Sequence, residues 1–317
     1  MHCAAQRAHS GVRALFLSLT HFCPVIARGF FFGSIKLGKC ICHLQVQDVL
    51  AGLRRWRLEQ DNSGPFRVYR NSKGEVFHSV THILKESDEK CKAALARWEE
   101  RLGPAEASAQ RNIAATRGTQ AHDQQEYYLK TTMQLARSAA NRRNAIKFDD
   151  NGLARIPAPI TKWALDKVHP NLPSVGWSSS GYARGLSNWI KENCTEIFAS
   201  EFSIHHPAGF AGTCDALLSA KNTELGLTGR EVLVADWKTT VKTKVLDESH
   251  NYVHQIAAYS LGLKHLTGLE PTGGLIVLAR RCGAPQLHVM DKDALKRAEV
   301  AFMDRVLRYF DQLEVPA

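Results

Sequence analysis

The stretch Val232-Leu233-Val234-Ala235-Asp236-Trp237-Lys238-Thr239-Thr240 is the most informative part of this chain for its fold. Its apolar first half is typical of a buried β-strand, and a carboxylate and an ammonium follow two positions apart. Side chains two apart on a strand point to the same face, so Asp236 and Lys238 should lie side by side while Trp237 faces away. A carboxylate can hold a divalent cation, and a lysine beside it can stabilise a phosphate oxygen or polarise a water. The pairing therefore suits metal-assisted hydrolysis of a phosphodiester.

A second acid lies on the strand-like segment that precedes this stretch. Residues 210–218 are apolar or small except for Asp215. A lone carboxylate in a buried strand is costly unless it is paired or bound to a metal. A salt bridge or backbone amides at a strand end would satisfy Asp215, but the neighbouring strand also offers Asp236 and Lys238. We therefore expect two acids and a lysine to converge on an oxygen-rich site suited to Mg²⁺ or Mn²⁺.

Four further residues are candidates, each with a structural alternative that stays open. Glu201, on the strand before Asp215, either adds an oxygen ligand or is an exposed charge on an edge strand. His122 follows the break Arg117-Gly118-Thr119, where a glycine permits close approach to a ligand, yet lone helical histidines are commonly structural. Gln255 and Tyr259 share one helix face and suit a phosphate or a base, although the tyrosine can equally pack its ring on the sheet.

The order of elements predicts an α/β fold, with a mixed, mainly antiparallel sheet flanked by helices. A leader is expected over residues 1–47, a helical part over 48–197 and a catalytic sheet core over 198–317. Within the helical part, a first helix is predicted from Asp48 to Glu59, and a long one over 105–140 is expected to break and restart at Thr119. The remaining predicted helices start within 79–84 and cover 90–101, 161–168, 185–197, 252–266 and 291–313. The predicted strands are a small hairpin of 66–70 and 75–78, followed by 198–205, 210–220, 231–238, 272–280 and 286–289.

Charge and hydropathy set the leader apart from the rest of the chain. The 317 residues carry a formal net charge of +10, and residues 1–47 hold five basic residues and no acid. Such a segment resembles an organelle transit peptide, which indicates the mitochondrion. A short secretory-type segment, or a stretch with no role in a cytoplasmic protein, is the alternative. No segment reaches the roughly 20 apolar residues of a membrane span, so no membrane partner is expected.

The cysteines do not indicate a cofactor. Of the eight, four lie in residues 1–47, and the others are scattered without a Cys-x-x-Cys spacing. This pattern favours free thiols in a reducing compartment over a disulfide framework, and it disfavours a zinc site.

Taken together, these motifs resemble the PD-(D/E)xK nuclease superfamily, and specifically its RecB-like exonuclease branch. Residues 234–277 are also similar to the mitochondrial genome maintenance exonuclease family and related phage exonucleases. The likeness covers roughly residues 66–313; as a set the motifs are specific, whereas Asp-x-Lys alone is common by chance. In the family's order, the matching pieces are Arg117-Gly118-Thr119-x-x-His122, Glu201, Gly212-Thr213-x-Asp215, Asp236-Trp237-Lys238-Thr239 and Gln255-x-x-x-Tyr259.

The resemblance implies a restriction-endonuclease-like core and a role for each matching position. Metal ligands would be Asp215, Asp236, the backbone carbonyl of Trp237 and His122, with Glu201 as an accessory acid. Lys238 would orient the attacking water or stabilise phosphate charge. The substrate would be held by Gln255, Tyr259, Arg117 and Thr239. Some RecB-like nucleases hold an iron–sulfur cluster through one upstream and three C-terminal cysteines; only Cys282 lies beyond the catalytic strands here, so no cluster is expected.

The sequence is thus interpreted as a metal-dependent DNA exonuclease acting on single strands or DNA ends in replication, recombination or repair. DNA and replication or recombination proteins would be its partners. Three alternatives stay open: a structure-specific endonuclease with the same site, a non-catalytic nucleic-acid-binding module, and a hydrolase of small phosphates. The chain has no Walker-type phosphate loop, so any ATPase activity would come from a partner.

Overall fold

A computed structural model describes residues 48–55 and 58–314 of the chain. The predicted leader, residues 1–47, lies outside the described residues. The α-helices of the described part are Val80–Glu86 (α1), Glu89–Leu102 (α2), Pro104–Arg142 (α3), Ala158–Val168 (α4), Trp177–Asn193 (α5), Asn251–Thr267 (α6) and Lys292–Glu314 (α7). Its strands are Glu59–Asp61 (β1), Val68–Arg70 (β2), Val76–Ser79 (β3), Lys147–Phe148 (β4), Ala154–Arg155 (β5), Cys194–His206 (β6), Phe210–Asn222 (β7), Leu227–Thr228 (β8), Leu233–Thr239 (β9), Gly273–Ala279 (β10) and Gln286–Met290 (β11).

The large sheet has the strand order β1-β2-β3-β7-β9-β10-β11, with β6 and β8 also paired to β7. Only the β3–β7 and β9–β10 ladders of this described sheet are parallel. The other six pairs are antiparallel. The prediction of an α/β fold with a mixed, mainly antiparallel sheet flanked by helices is confirmed.

Alternation along β9 divides the apolar core between the two faces of the sheet. Val234 lies in the cluster formed with α1, α6 and α7. Ala235 and Trp237 lie in the cluster formed with α3 and α5. Since alternate side chains of a strand point to opposite faces, this division follows from the period of two in the sequence. It leaves the even-numbered residues Asp236 and Lys238 on the face opposite Trp237.

Strand β7 is shared between two partners along one edge, and this arrangement creates the site. At its start, Phe210 and Ala211 pair with β3. Further along, residues 216–218 pair with β9. Strand β6 pairs along most of the other edge. In the described structure, residues 212–215 of β7 therefore lie at a fork where β3 and β9 diverge.

The predicted break in the long helix is wrong. Helix α3 runs without interruption for 39 residues, so Thr119 is inside the helix and caps nothing. A glycine in a helix interior costs about 1 kcal/mol relative to alanine. Here Gly118 packs against β9, where a Cβ would lie 3.9 Å from Thr239 Oγ1. Packing against β9 and α5 stabilises the continuous helix.

Other boundaries also differ from the predicted ones, and residues 194–197, predicted helical, begin β6. The helix expected from Asp48 is a 3₁₀-helix over Val49–Arg55, and Glu59, predicted helical, lies in β1. Asp48 nonetheless starts it, since its Oδ1 accepts a hydrogen bond from the Leu50 N–H at 3.1 Å. Helix α5 begins at Trp177, not at residue 185. Its first turn contains three serines, which compete with the backbone for hydrogen bonds and so make the sequence resemble a loop.

Strands β1–β3, in the part predicted as helical, belong to the same sheet as β6–β11. The domain boundaries at 47/48 and 197/198 stay a prediction. None of the described helices is long and apolar enough to cross a membrane.

Candidate metal centre

The fork in β7 brings the two predicted acids together. Ala216 lies opposite Ala235 in the antiparallel β7–β9 ladder, so Asp215 and Asp236 follow at the next step of the two strands. The Trp237 N–H donates to Asp215 Oδ2 at 2.7 Å. The N–H and C=O of one strand residue point to the same neighbouring strand. The Trp237 carbonyl should therefore face the same edge, as its predicted role as a ligand requires.

Asp236 is the most deeply buried acid of the site. It is fully buried. Its Oδ2 lies 2.5 Å from Lys238 Nζ, so the predicted side-by-side pair is present. Beyond this ion pair, neither carboxylate oxygen has a well-aligned hydrogen-bond donor among the described residues. Buried polar atoms without partners are rare in folded proteins and call for an explanation such as an ion.

Glu201 enters the site through an unusual backbone conformation. Its neighbours Ser200 and Phe202 pair with Ala216 and Cys214, which places Glu201 opposite Asp215. Its φ of 47° lies in the left-handed region that non-glycine residues seldom adopt. Of the two readings of Glu201, an exposed edge charge and a residue near the acids, the geometry favours the second.

His122 reaches the site from α3, on the other side of the cleft. Its Nδ1 lies 3.4 Å from Asp215 Oδ2. Ligand atoms of His122, Glu201 and Asp215 all lie within 4.8 Å of one another, the one such group among the described residues. Asp236 is not in this group, and its carboxylate pairs with Lys238. Whether Asp215 and Asp236 hold one cation stays a prediction.

Burial and mutual charge shift the pKa values of these groups. Burial lowers the pKa of His122, but the Asp215 carboxylate outweighs it and raises the value to about 9. Burial raises the pKa of Asp236 to about 6, against the opposing effect of Lys238. Burial together with the charges of Asp215 and Glu126 raises the pKa of Glu201 to about 8. Glu201 therefore keeps its proton at neutral pH, and a bound cation would replace that proton.

Gln255 and Tyr259 on α6 form a hydrogen-bonded pair at the edge of the cleft. The Gln255 Nε2 donates to the Tyr259 hydroxyl at 2.6 Å. Burial, with the charges of Asp236 and Asp215, raises the pKa of Tyr259 far above its usual value, so its hydroxyl keeps its proton. The ring packs on Gly212, where a Cβ would lie 2.9 Å from its Cε1. Gly212 is thus needed for this close approach.

Two predicted substrate-binding residues lie beside the cleft and do not line it. Arg117 Nε donates to Thr239 Oγ1 at 3.4 Å. The guanidinium of Arg117 also lies over the Tyr182 ring, 4.7 Å from its centroid. These contacts place both residues where α3, α5 and β9 meet.

The site lies in a cleft of about 410 Å³. The sequence motifs account for one wall and for the floor. The opposite wall comes from the β1–β3 hairpins and the start of α1. The sequence did not predict that these elements contribute to the site. The one available signal was the helix start predicted within 79–84, since Ser79, Val80 and Thr81 line the cleft. Residues lining the cleft without a predicted site role include Arg67, Ser79, Thr81, Asp123 and Glu126.

The residues present fit a hard divalent cation. Carboxylate oxygens with one imidazole nitrogen suit Mg²⁺ or Mn²⁺, and no described cysteine offers sulfur to the group. The Asp236 oxygens, which lack a hydrogen-bond donor, and the neighbouring carboxylates of Asp215 and Glu201 are consistent with this choice.

Fold and site thus define an α/β protein with a candidate divalent-metal centre at a fork of its sheet. No family model matches the chain, and no curated protein does. Among solved structures it is similar to the crystal structure of a "putative exonuclease" from Eubacterium rectale. That similarity has a TM-score of 0.28 at 14% identity and covers 58% of this chain and 69% of the other. A likeness this low carries no argument.

Proposed function

We propose that this protein is a metal-dependent DNA exonuclease that hydrolyses phosphodiester bonds in single-stranded DNA or at DNA ends. The observation that carries the proposal is the cluster of His122, Glu201 and Asp215 beside the Asp236–Lys238 pair in one cleft. Acids, an imidazole and an amine in this arrangement suit hydrolysis of a phosphodiester, whose transition state gains negative charge on oxygen.

Each side chain has a task that its surroundings support. Asp215, Glu201 and His122 hold the cation, and Asp236 supplies a further oxygen. Mg²⁺ or Mn²⁺ in the site provides Lewis acidity and lowers the pKa of the nucleophilic water. Lys238 keeps its positive charge because Asp236 and Asp215 raise its pKa despite burial. It can therefore orient the water or stabilise charge on a phosphate oxygen.

The pair on α6 suits the substrate side of the site. Since Gln255 donates to the oxygen of Tyr259, the hydroxyl hydrogen is free to point at a phosphate. A tyrosine that stays neutral adds no charge repulsion toward a polyanion. Gln255 and Tyr259 would thus hold the strand near the scissile phosphate.

The motif order supports membership of the RecB-like branch of the PD-(D/E)xK nucleases. On this proposal the protein works in DNA replication, recombination or repair, beside the proteins of those processes. The acid-free leader supports a mitochondrial location. Its test is a fusion of residues 1–47 to a fluorescent reporter, and a diffuse cytosolic signal would contradict the assignment.

The activity is tested by digestion of end-labelled oligonucleotides with the full chain in Mg²⁺, in Mn²⁺ and in EDTA. We expect single strands to be shortened from an end only when metal is present. Lys238→Ala should lower turnover by about 100- to 1,000-fold, the usual effect of removing one group that stabilises transition-state charge, with DNA binding retained. Lys264→Ala removes an exposed lysine paired with Glu270 and is the matched control.

Substrate design separates the alternatives. Blocking the 5′ or the 3′ end reveals polarity. Cleavage of a closed circular single strand would support an endonuclease with the same site. Metal-independent binding with no hydrolysis in either metal would contradict an enzyme and support a non-catalytic binding module.

A further inference from the structure

The surface beside the metal centre carries an exposed tryptophan that the proposed chemistry does not use. Trp177, the first residue of α5, has 80% of its surface exposed. Large aromatic side chains normally bury most of their area, and tryptophan is enriched where proteins bind partners. The guanidinium of Arg281, from the loop after β10, lies 4.7 Å from the centroid of its ring. A flat aromatic face is thus held beside a cation at the surface.

Four segments without a single acid meet at this surface. Residues 107–122, 167–191, 237–246 and 271–290 hold ten Lys and Arg residues and no Asp or Glu. They belong to α3, to α4–α5, to β9 with its following loop, and to β10–β11. An acid-free set of segments that converges in space produces a positive surface potential, which attracts a polyanion.

Direct contacts join these four segments into one continuous surface. Gly176 N–H donates to Gln120 Oε1 at 3.1 Å, which links α5 to α3. Thr240 N–H donates to the Ala279 carbonyl at 2.8 Å, which links the loop after β9 to β10. At Gly181, a Cβ would lie 2.1 Å from the Arg281 carbonyl oxygen, so α5 and the Arg281 loop touch at the backbone.

Three cations of this surface are available to a ligand, whereas Arg111, Lys191 and Lys238 lie within 4 Å of a carboxylate. Among the described residues, no carboxylate lies within 4 Å of Arg117, Lys242 or Arg281. Arg117 bonds to Thr239, next to Lys238 of the metal centre. The cationic surface therefore begins at the cleft and leads to Trp177.

We infer that Trp177 is a base-stacking platform for single-stranded DNA leading to or from the cleft, with Arg281 positioned for an adjacent phosphate. The assignment of this strand as substrate rests on the proposed nuclease function. Single-strand binders combine a positive groove along the backbone with aromatic faces on which bases stack. The stacked guanidinium also fixes the indole orientation before DNA arrives, which reduces the entropy lost on binding. An exposed indole with a free face and flanking cations has the chemistry of such a platform.

The test is equilibrium binding of a fluorescent oligothymidylate of about 16 nucleotides, the upper end of single-strand site sizes, to the full chain in EDTA. Base–aromatic stacking of about 1–3 kcal/mol predicts that Trp177→Ala weakens binding roughly 5- to 150-fold. Trp177→Phe should restore much of the affinity. Trp163→Ala is the matched control, since Trp163 is a partly exposed tryptophan on α4, outside this surface. Unchanged binding by the Trp177→Ala protein would overturn the inference.

Arg281 provides a second, independent test of this inference. Arg281→Ala should reduce the slope of log Kd against log salt by about 0.7, the value for one lost phosphate contact on a single strand. Arg143→Ala removes the same charge just after α3, about 30 Å along the helix from His122, and should leave the slope unchanged. An Arg281→Ala slope equal to that of the wild type would contradict the phosphate contact.

A small substrate separates this inference from the proposed activity. Bis(p-nitrophenyl) phosphate is a small phosphodiester without bases and Trp177 does not line the cleft, so Trp177→Ala should hydrolyse it at the wild-type rate. An equal loss on this substrate would mean that the substitution acts through the metal centre, which overturns the inference. If the wild type hydrolyses neither substrate yet the Trp177→Ala protein binds DNA more weakly, the nuclease proposal fails while the DNA-binding surface stands.

Discussion

At the scale of single residues, Glu201 combines backbone strain with a partly buried carboxyl crowded by other acids. Its left-handed φ of 47° costs about 1–2 kcal/mol for a residue with a Cβ. Burial and nearby acids raise its pKa to about 8. Both effects oppose folding unless something offsets them, and strain of this kind concentrates at functional sites. A cation shared with His122 and Asp215 would supply that compensation.

We predict that Glu201→Gln raises the Mg²⁺ or Mn²⁺ concentration needed for half-maximal binding by at least about tenfold, measured by isothermal titration with the metal alone. The amide keeps the size of the side chain but removes the charge that attracts the cation. In EDTA at pH 8, the thermal unfolding midpoint should be equal or higher. A carboxyl whose pKa is raised in the folded state stabilises the protein less as the pH rises from the unfolded-state pKa through about 8. The amide does not titrate, so the variant does not lose this stability.

Glu126→Gln is the matched control, because Glu126 lines the same cleft but pairs with Lys130 on α3. It should leave the metal requirement close to that of the wild type. Equal metal affinity in the Glu201→Gln protein and the wild type would remove Glu201 from the ligand set.

Residue-level patterns predicted part of this site. The period of two along β9 was sufficient to place Asp236 beside Lys238 and to direct Trp237 away. The sequence did not decide the role of Glu201, because residue type does not reveal a backbone dihedral angle. The contribution of Arg67 could not be predicted from sequence, because it depends on a hairpin more than 100 residues upstream that packs beside the site.

At the scale of elements, two glycines on one face of α5 meet backbone carbonyls very differently. A Cβ at Gly181 would lie 2.1 Å from the Arg281 oxygen. A Cβ at Gly185 would have ordinary contacts, 3.8 Å from the Gly283 oxygen. The same substitution on the same helix should therefore change stability in opposite directions.

We predict that Gly181→Ala destabilises the protein by about 1–3 kcal/mol through overpacking against backbone. Gly185→Ala should stabilise it by about 0.5–1 kcal/mol, because alanine loses less entropy than glycine in a helix. Urea unfolding of both variants beside the wild type measures the difference. Two destabilised proteins, or two stabilised ones, would show that α5 does not pack on the Arg281 loop as described.

Local sequence predicted most elements but misjudged where some begin and end. Gly118 predicts a break in the helix because glycine has a low helix propensity. The helix continues through Gly118 because α3 packs on α4, α5 and β9, which helix propensity does not include. The three serines after Trp177 also resemble a loop, yet Ser179 is fully buried within the first turn of α5.

At the scale of the whole molecule, the sharing of β7 between β3 and β9 could not be read from sequence. The fork depends on strands separated by more than 100 residues pairing with one edge of β7. Periodicity identifies each strand but not its neighbour. The α/β class was therefore predictable, whereas the cleft that the fork produces was not.

The turn that joins β6 to β7 brings several histidines together, outside the residues that line the cleft. The His206 ring stacks on Phe210, with ring centroids 4.9 Å apart. His265 on α6 lies edge-on, with its centroid 5.4 Å from that of His206. The His206 Nδ1 accepts the Ala208 N–H at 3.2 Å, a role that only the unprotonated nitrogen can take. Burial, with the charges of His265 and His205, lowers the pKa of His206 to about 4.

This arrangement predicts a loss of stability in mild acid. An unfolded histidine binds a proton below pH of about 6.5, whereas folded His206 resists protonation until about 4, so stability falls as pH drops through that window. His206 alone should cost about 2 kcal/mol between pH 7 and pH 5. His206→Phe keeps a ring on Phe210 without a titrating group, and urea unfolding should give it a flatter pH profile. A His206→Phe protein as acid-sensitive as the wild type would place the sensitivity elsewhere, because the only proton-binding group lost in that variant is the one at this turn.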